Sequence, residues 1–156
     1  MAEHLKISTG EKSEKYELLL QQILVLAQYE KDPVALMANV ASMIHHTFNF
    51  LWTGFYRVID SELVLGPFQG PLACTRIAYG KGVCGTAWKE GRTVIVKDVN
   101  EFAGHIACSS DSRSEIVVPI KENNKVVAVL DIDSADYSTF DNVDAAWLER
   151  IVLAIS

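Results

Sequence analysis

IVVPIKENNKVVAVLDIDS, residues 116–134, is the stretch from which the fold is read. Two apolar runs, 116–121 and 126–133, flank Asn123-Asn124, a dipeptide suited to the left-handed conformations of a two-residue hairpin turn. Their near-continuous apolar character predicts strands covered on both faces. Alternation along VVAVLDID puts Val127, Val129, Asp131 and Asp133 on one face and Leu130 and Ile132 on the other. Glu115 begins the preceding strand, so in an antiparallel hairpin it lies opposite the far end of the second one. Three acids therefore converge. Carboxylates desolvated side by side are costly unless a cation, a shared proton or a metal compensates, which marks the cluster as a candidate site. The competing reading is that Asp131 and Asp133 only end the strand and cap the DSADYSTF turn.

Upstream of the hairpin, residues 97–113 are polar, lack either periodicity and are long for a connection, as expected of a functional loop. Before them, 93–96 reads as a short strand. Gly80 and Gly82 frame a short helix, 83–90, with Gly91 at its C-terminal cap. Residues 52–59 and 62–68 around Asp60-Ser61 form a second predicted hairpin, and 72–78 a further strand. Two amphipathic helices open the chain. The first spans 12–30, with Leu18, Leu19, Ile23, Leu26 and Ala27 inward. The second starts at Asp32-Pro33 as N-cap and first helical residue and carries Val34, Met37, Ala38, Ala41 and Ile44 toward Phe48. A last helix runs from Asn142, with Val143, Ala146, Trp147 and Ile151 inward. The order predicts an α+β fold: an antiparallel sheet with helices packed mainly on one side. A single domain over 1–156 is expected, with 1–12 a polar N-terminal extension.

The 156 residues are 49% hydrophobic and 22% charged, enough to bury a core. A formal net charge of −6 argues against a nucleic-acid partner. Neither a signal-peptide core nor a membrane-length apolar run stands out, so the expected address is cytoplasmic. In a reducing compartment, three cysteines do not make a set of permanent bridges.

Cys108 sits in GHIACSSDSRSE among hydroxyls, with His105 and Arg113 nearby, a setting that could stabilise a thiolate. A shielded thiol in a surface turn fits the segment equally well. Taken alone, Cys84 in GVCGTAW reads as a small apolar residue packed on the sheet, while Cys74 in PLACT stays open. Cys74, Cys84, Cys108 and His105 match no compact metal-ligand spacing, so no metal or other cofactor is expected. Trp52, Gly54 and Tyr56 share one strand face. The missing side chain at Gly54 leaves a notch suited to a small apolar or thioether group, unless the rings simply pack in the core.

The segments WTGFYRV (52–58), GPFQGPLACTRI (66–77), GKGVCGTAW (80–88), HIACSSDSRSEIVVPI (105–120) and VLDIDS (129–134) lie in an order and spacing that resembles the free methionine-(R)-sulfoxide reductases, a family built on a lone GAF domain. The resemblance implies a GAF-like fold and reduction of free L-methionine-(R)-sulfoxide. It implies Cys108 as attacking thiol, Cys74 as resolving thiol and Cys84 as an alternative or relay partner. Glu115, Asp131 and Asp133 match the family's acidic pocket, and Trp52 and Tyr56 the aromatic wall around the substrate's methyl-sulfur end. Thioredoxin is the implied reductant and a homodimer the implied assembly. The competing function is a non-catalytic, small-molecule-sensing GAF domain, although the NKxnFx3DE signature of cyclic-nucleotide GAF domains is absent.

Overall fold

The computed structural model describes residues 4–106 and 108–156. Its elements are α1 (Lys12–Tyr29), α2 (Pro33–Phe48), β1 (Trp52–Ile59), β2 (Glu62–Gln69), β3 (Arg76–Ala78), α3 (Gly82–Glu90), β4 (Val94–Val96), a short 3-10 turn (Val99–Glu101), β5 (Ser114–Glu122), β6 (Lys125–Ser134) and α4 (Asn142–Ala154). The strands form one antiparallel sheet in the order β3-β2-β1-β6-β5-β4.

Both predicted hairpins are present. Asp60-Ser61 and Asn123-Asn124 hold positive φ at both turn positions (49° and 73°, 52° and 63°), the twist that suits flanking right-handed strands. α2 begins as its sequence predicts: Asp32 Oδ1 accepts from the Ala35 amide at 2.9 Å, and Pro33 follows at the first helical position.

One face of the sheet presents Phe55, Ile116, Val118, Leu130 and Ile132 to α1, α2 and α4, which contribute Tyr16, Leu19, Ile23, Val40, Ile44, Leu148 and Ile151. Each such fully buried side chain stabilises the fold by about 1.5–3 kcal/mol. The opposite face carries Trp52, Tyr56, Val117 and Val129 and is covered by α3. The sheet is thus clothed on both sides, with three of the four α-helices among the described residues on one. Gly85 lets α3 approach: a Cβ there would stand 2.6 Å from the Ala78 carbonyl oxygen.

Four local expectations are corrected. The strand predicted over 72–78 is confined to Arg76–Ala78. Residues ahead of it are held instead by side chains, with Trp52 Nε1 donating to the Pro71 carbonyl at 3.1 Å and Tyr56 Oη to the Cys74 carbonyl at 2.9 Å. Val127 does not share the face of Val129, because the register runs Ile120↔Ala128 and then Lys121↔Val126. Val127 is the extra residue of a β-bulge. On α4 the buried residues are Asp144, Leu148, Ile151 and Val152, while Val143 and Ala146 are exposed. Asp144 turns inward because Lys12 Nζ, at 2.7 Å, and Tyr16 Oη, at 2.6 Å, both donate to its carboxylate from α1. On α2, Val34 and Ala38 are exposed, and Leu36 and Val40 take the buried positions.

Candidate active site

β1, β5 and β6 bring the predicted acids and rings together at one end of the second face. The register pairs Trp52 and Glu115 with Asp133, from either side, and Gly54 and Val117 with Asp131. Glu115, Asp131 and Asp133 therefore emerge from neighbouring strands into one hollow. Cys84 reaches it from α3, and His105 and Cys108 from the loop between β4 and β5. The hollow has about 560 Å³ of empty space, part of it open to solvent.

A disulfide joins Cys108, on the lining of this hollow, to Cys74, the two Cα atoms 5.5 Å apart across 34 residues of sequence. The Cys74 side is fixed by the Tyr56 and Trp52 hydrogen bonds. The base of the Cys108 loop is fixed by the Val99 amide donating to the Arg113 carbonyl at 2.9 Å and the Arg113 amide to that of Ser134 at 2.8 Å. Cys84 remains a buried free thiol.

The acids are poorly solvated. Glu115 and Asp131 are 5% and 6% exposed, and Asp133 is partly exposed. Burial, with the neighbouring charge of Asp133, pushes Glu115 up to about 8. Burial and the Glu115 charge raise Asp131 well above the usual carboxylate range. Burial and the Asp131 charge do the same to Asp133, against a hydrogen bond that its Oδ1 accepts from Ser112 Oγ at 2.9 Å. Asp131 Oδ1 is buried without a hydrogen-bond partner. His105 Nε2 lies 3.7 Å from Glu115 Oε1, and burial lowers its pKa while the Asp131 charge opposes that shift.

Cys84 Sγ and one oxygen each of Glu115 and Asp131 lie within 4.8 Å of one another. Burial first, and then the charges of Asp131 and Glu115, hold the Cys84 thiol well above its ordinary pKa. The set of Cys74, Cys84, Cys108 and His105 weighed as zinc ligands has two of its sulfurs bonded to each other in this state.

The notch expected at Gly54 is filled from within. A Cβ there would stand 2.5 Å from Trp52 Cη2 and 2.4 Å from Phe68 Cβ, so the glycine seats the Trp52 indole and leaves no slot for a ligand. That ring stacks between Phe68 (5.2 Å between centroids) and Tyr56 (5.8 Å), presenting an aromatic wall to the hollow. Gly54→Ala is expected to displace Trp52 and cost about 1–3 kcal/mol, read from the midpoint of denaturant unfolding. Ser112 was not singled out from sequence, where it is one hydroxyl among several in CSSDSRS; only its hydrogen bond to Asp133 marks it.

The acids also predict a pH dependence. With Glu115 raised from 4.5 to about 8, its contribution to stability is complete below pH 4.5 and is lost as pH rises through about 8. Asp131 and Asp133 act in the same direction. His45 and His105, both lowered from 6.5, oppose it by adding stability as pH rises through 6.5. The expected result is that thermal melts of the wild type fall relative to those of Glu115→Gln between pH 4.5 and about 8. Parallel curves would contradict the buried-acid account.

Sheet order, helices and the loop-lined hollow define the class. The GAF domain family model matches residues 30–156, and the chain belongs to that family. The GAF domain-containing protein A of Dictyostelium discoideum is 52% identical over 153 residues, covering 97% of each chain. The free methionine-R-sulfoxide reductase of Saccharomyces cerevisiae is 44% identical over 165 aligned positions, covering 99% of this chain and 92% of that one. The solved structure of free methionine-R-sulfoxide reductase from Neisseria meningitidis in complex with its substrate superposes with a TM-score of 0.96 at 47% identity. It covers 97% of this chain and 92% of that one. Among GAF domains, then, this chain is a member of the free methionine-R-sulfoxide reductase family of oxidoreductases.

Proposed function

We propose that this protein reduces free L-methionine-(R)-sulfoxide to methionine at the hollow beneath the Cys74–Cys108 bond. The observation that carries the reading is that bond itself, which ties Cys74 to the loop whose Cys108 lines a hollow shared with Glu115, Asp131 and Asp133. Relatives named for this activity support it.

In the reduced protein the Cys108 thiolate attacks the sulfoxide sulfur while a carboxylic acid protonates the departing oxygen. Glu115 suits the donor: its pKa near 8 keeps it protonated at neutral pH yet able to release the proton. Methionine leaves, and Cys108 retains the oxygen as sulfenic acid. The Cys74 thiol condenses with it, releasing water and forming the disulfide before further oxidation. An external dithiol then reopens the bond by exchange, becoming oxidised itself, and thioredoxin is the reductant we assign.

The substrate's ammonium suits the partnerless Asp131 Oδ1, which would ionise as the cation arrives, and backbone amides of the Cys108 loop suit its carboxylate. Trp52 and Tyr56 would flank the methyl-sulfur end. A peptide-bound residue has no ammonium and would leave these acids unpaired, hence selectivity for the free amino acid. We place the protein in the cytoplasm as a homodimer. Exposed Leu24, Val25 and Tyr29 on α1 and Leu153 on α4 support the pairing, and among the described residues no helix is long and apolar enough to cross a membrane.

The test is loss of each sulfoxide epimer with a thioredoxin recycling system, using free methionine sulfoxide and its N-acetylated form. Consumption of the free R epimer alone is expected. Binding of the sulfoxide with thiols intact and no methionine formed would identify a sensor instead.

A further inference from the structure

Resting on that reading, the proton traffic of the site poses a separate problem. Forming sulfenic acid from a thiol and a sulfoxide adds no proton: Cys108–SH plus R–S(O)–CH3 gives Cys108–SOH plus R–S–CH3. The hydrogen that starts on sulfur must finish on oxygen, yet Cys108 has to give it up before attacking, and on this reading Glu115 delivers a different one. Glu115 is 5% exposed, so reprotonation from solvent is restricted.

His105 lies beside Glu115 and lines the same hollow as Cys108. Its side chain is 14% exposed, its Nε2 is 3.7 Å from Glu115 Oε1, and it lies three residues before Cys108 on the same loop, with both side chains lining the hollow. We propose that His105 is a proton-relay residue, accepting the Cys108 proton as the thiolate forms and returning it to Glu115 after Glu115 has protonated the sulfoxide oxygen. The imidazole starts and ends neutral, Glu115 starts and ends protonated, and no outside acid is consumed.

Its surroundings fit a transient cation. Glu115 on β5 approaches it most closely, and Asp131 and Asp133 on β6, Cys84 on α3 and the cation Lys81, just ahead of α3, line the same hollow. Burial keeps the resting imidazole neutral and thus ready to accept a proton.

The experiment is rapid-quench measurement of methionine formed in a single turnover by reduced protein without a recycling reductant, from about pH 6 to about 9. His105→Gln and His105→Ala are expected to slow this turnover by about 10²-fold with half-saturation changed less than about twofold, and imidazole is expected to restore much of the His105→Ala rate. A wild-type rate in His105→Gln, or a loss that imidazole leaves untouched and that appears as weaker saturation, overturns the relay. Should both variants misfold, the wild type still decides: heavy water must slow its single turnover, and an insensitive rate overturns the proposal. A wild type that forms no methionine at all sinks the reductase reading itself, whereas methionine formed without these signatures sinks the relay alone.

Discussion

Cys108→Ser is expected to lower sulfoxide reduction by about 10³-fold or more, because a hydroxyl cannot act as the soft nucleophile or carry the oxygen as sulfenic acid. Cys74→Ser should behave differently. It retains the attacking thiol, so it forms one methionine per chain in a first turnover and then stalls with an oxidised Cys108 that thioredoxin recycles poorly. Rapid quench against steady-state rates separates the two, and a fully active Cys108→Ser would falsify the assignment of the nucleophile. Cys84→Ser should keep both phases, since that thiol is free, buried and held protonated beside the acids. Steady-state loss in Cys84→Ser with a normal first turnover would instead give Cys84 a share in resolving.

Glu115→Gln is expected to reduce kcat by about 10²–10⁴-fold, the range for losing a positioned proton donor, with a smaller change in KM. The amide matches the shape of the acid and cannot ionise, so above pH 8 the variant should melt no lower than the wild type, where a buried carboxylate has lost its proton. Activity lost without stability lost is the signature that separates chemistry from misfolding. Asp131→Asn provides the contrast. It removes the charge that would meet the substrate ammonium, so its larger effect should fall on KM. Equal kcat and KM effects in the two variants would show that the carboxyl groups are not divided between donation and binding.

Much of this site could be read in the sequence because it rests on short-range rules. A two-residue turn at Asn123-Asn124 fixes which residues of β5 and β6 face each other, and the period of two then places Asp131 and Asp133 beside Glu115. The same rule failed at Val127. A bulge is one extra residue whose cause lies in the pairing of two strands, and alternation along one strand does not reveal it. Long-range pairing also hid Asp144, whose charge suggests a solvent-facing position until Lys12 and Tyr16 meet it from the other end of the chain. At Gly54 the missing side chain was legible but its beneficiary was not, because the direction of the Trp52 ring depends on Phe68 across the sheet. In the sequence His105 stands out as a neighbour of Cys108 and as a weighed metal ligand; its approach to Glu115 needs the loop to fold over β5. The Cys74–Cys108 pairing came from family resemblance, and nothing in the local sequence of either residue specifies the other.

On the proposed cycle the Cys74–Cys108 link also implies an order of events: while it is shut, the sulfur that would meet the next sulfoxide is already spent, so oxidant and reductant are expected to visit in alternation. Initial velocities taken at several fixed dithiol levels should accordingly trace parallel lines in a double-reciprocal plot, and a cell short of reductant would accumulate the sealed form, idle but spared from overoxidation.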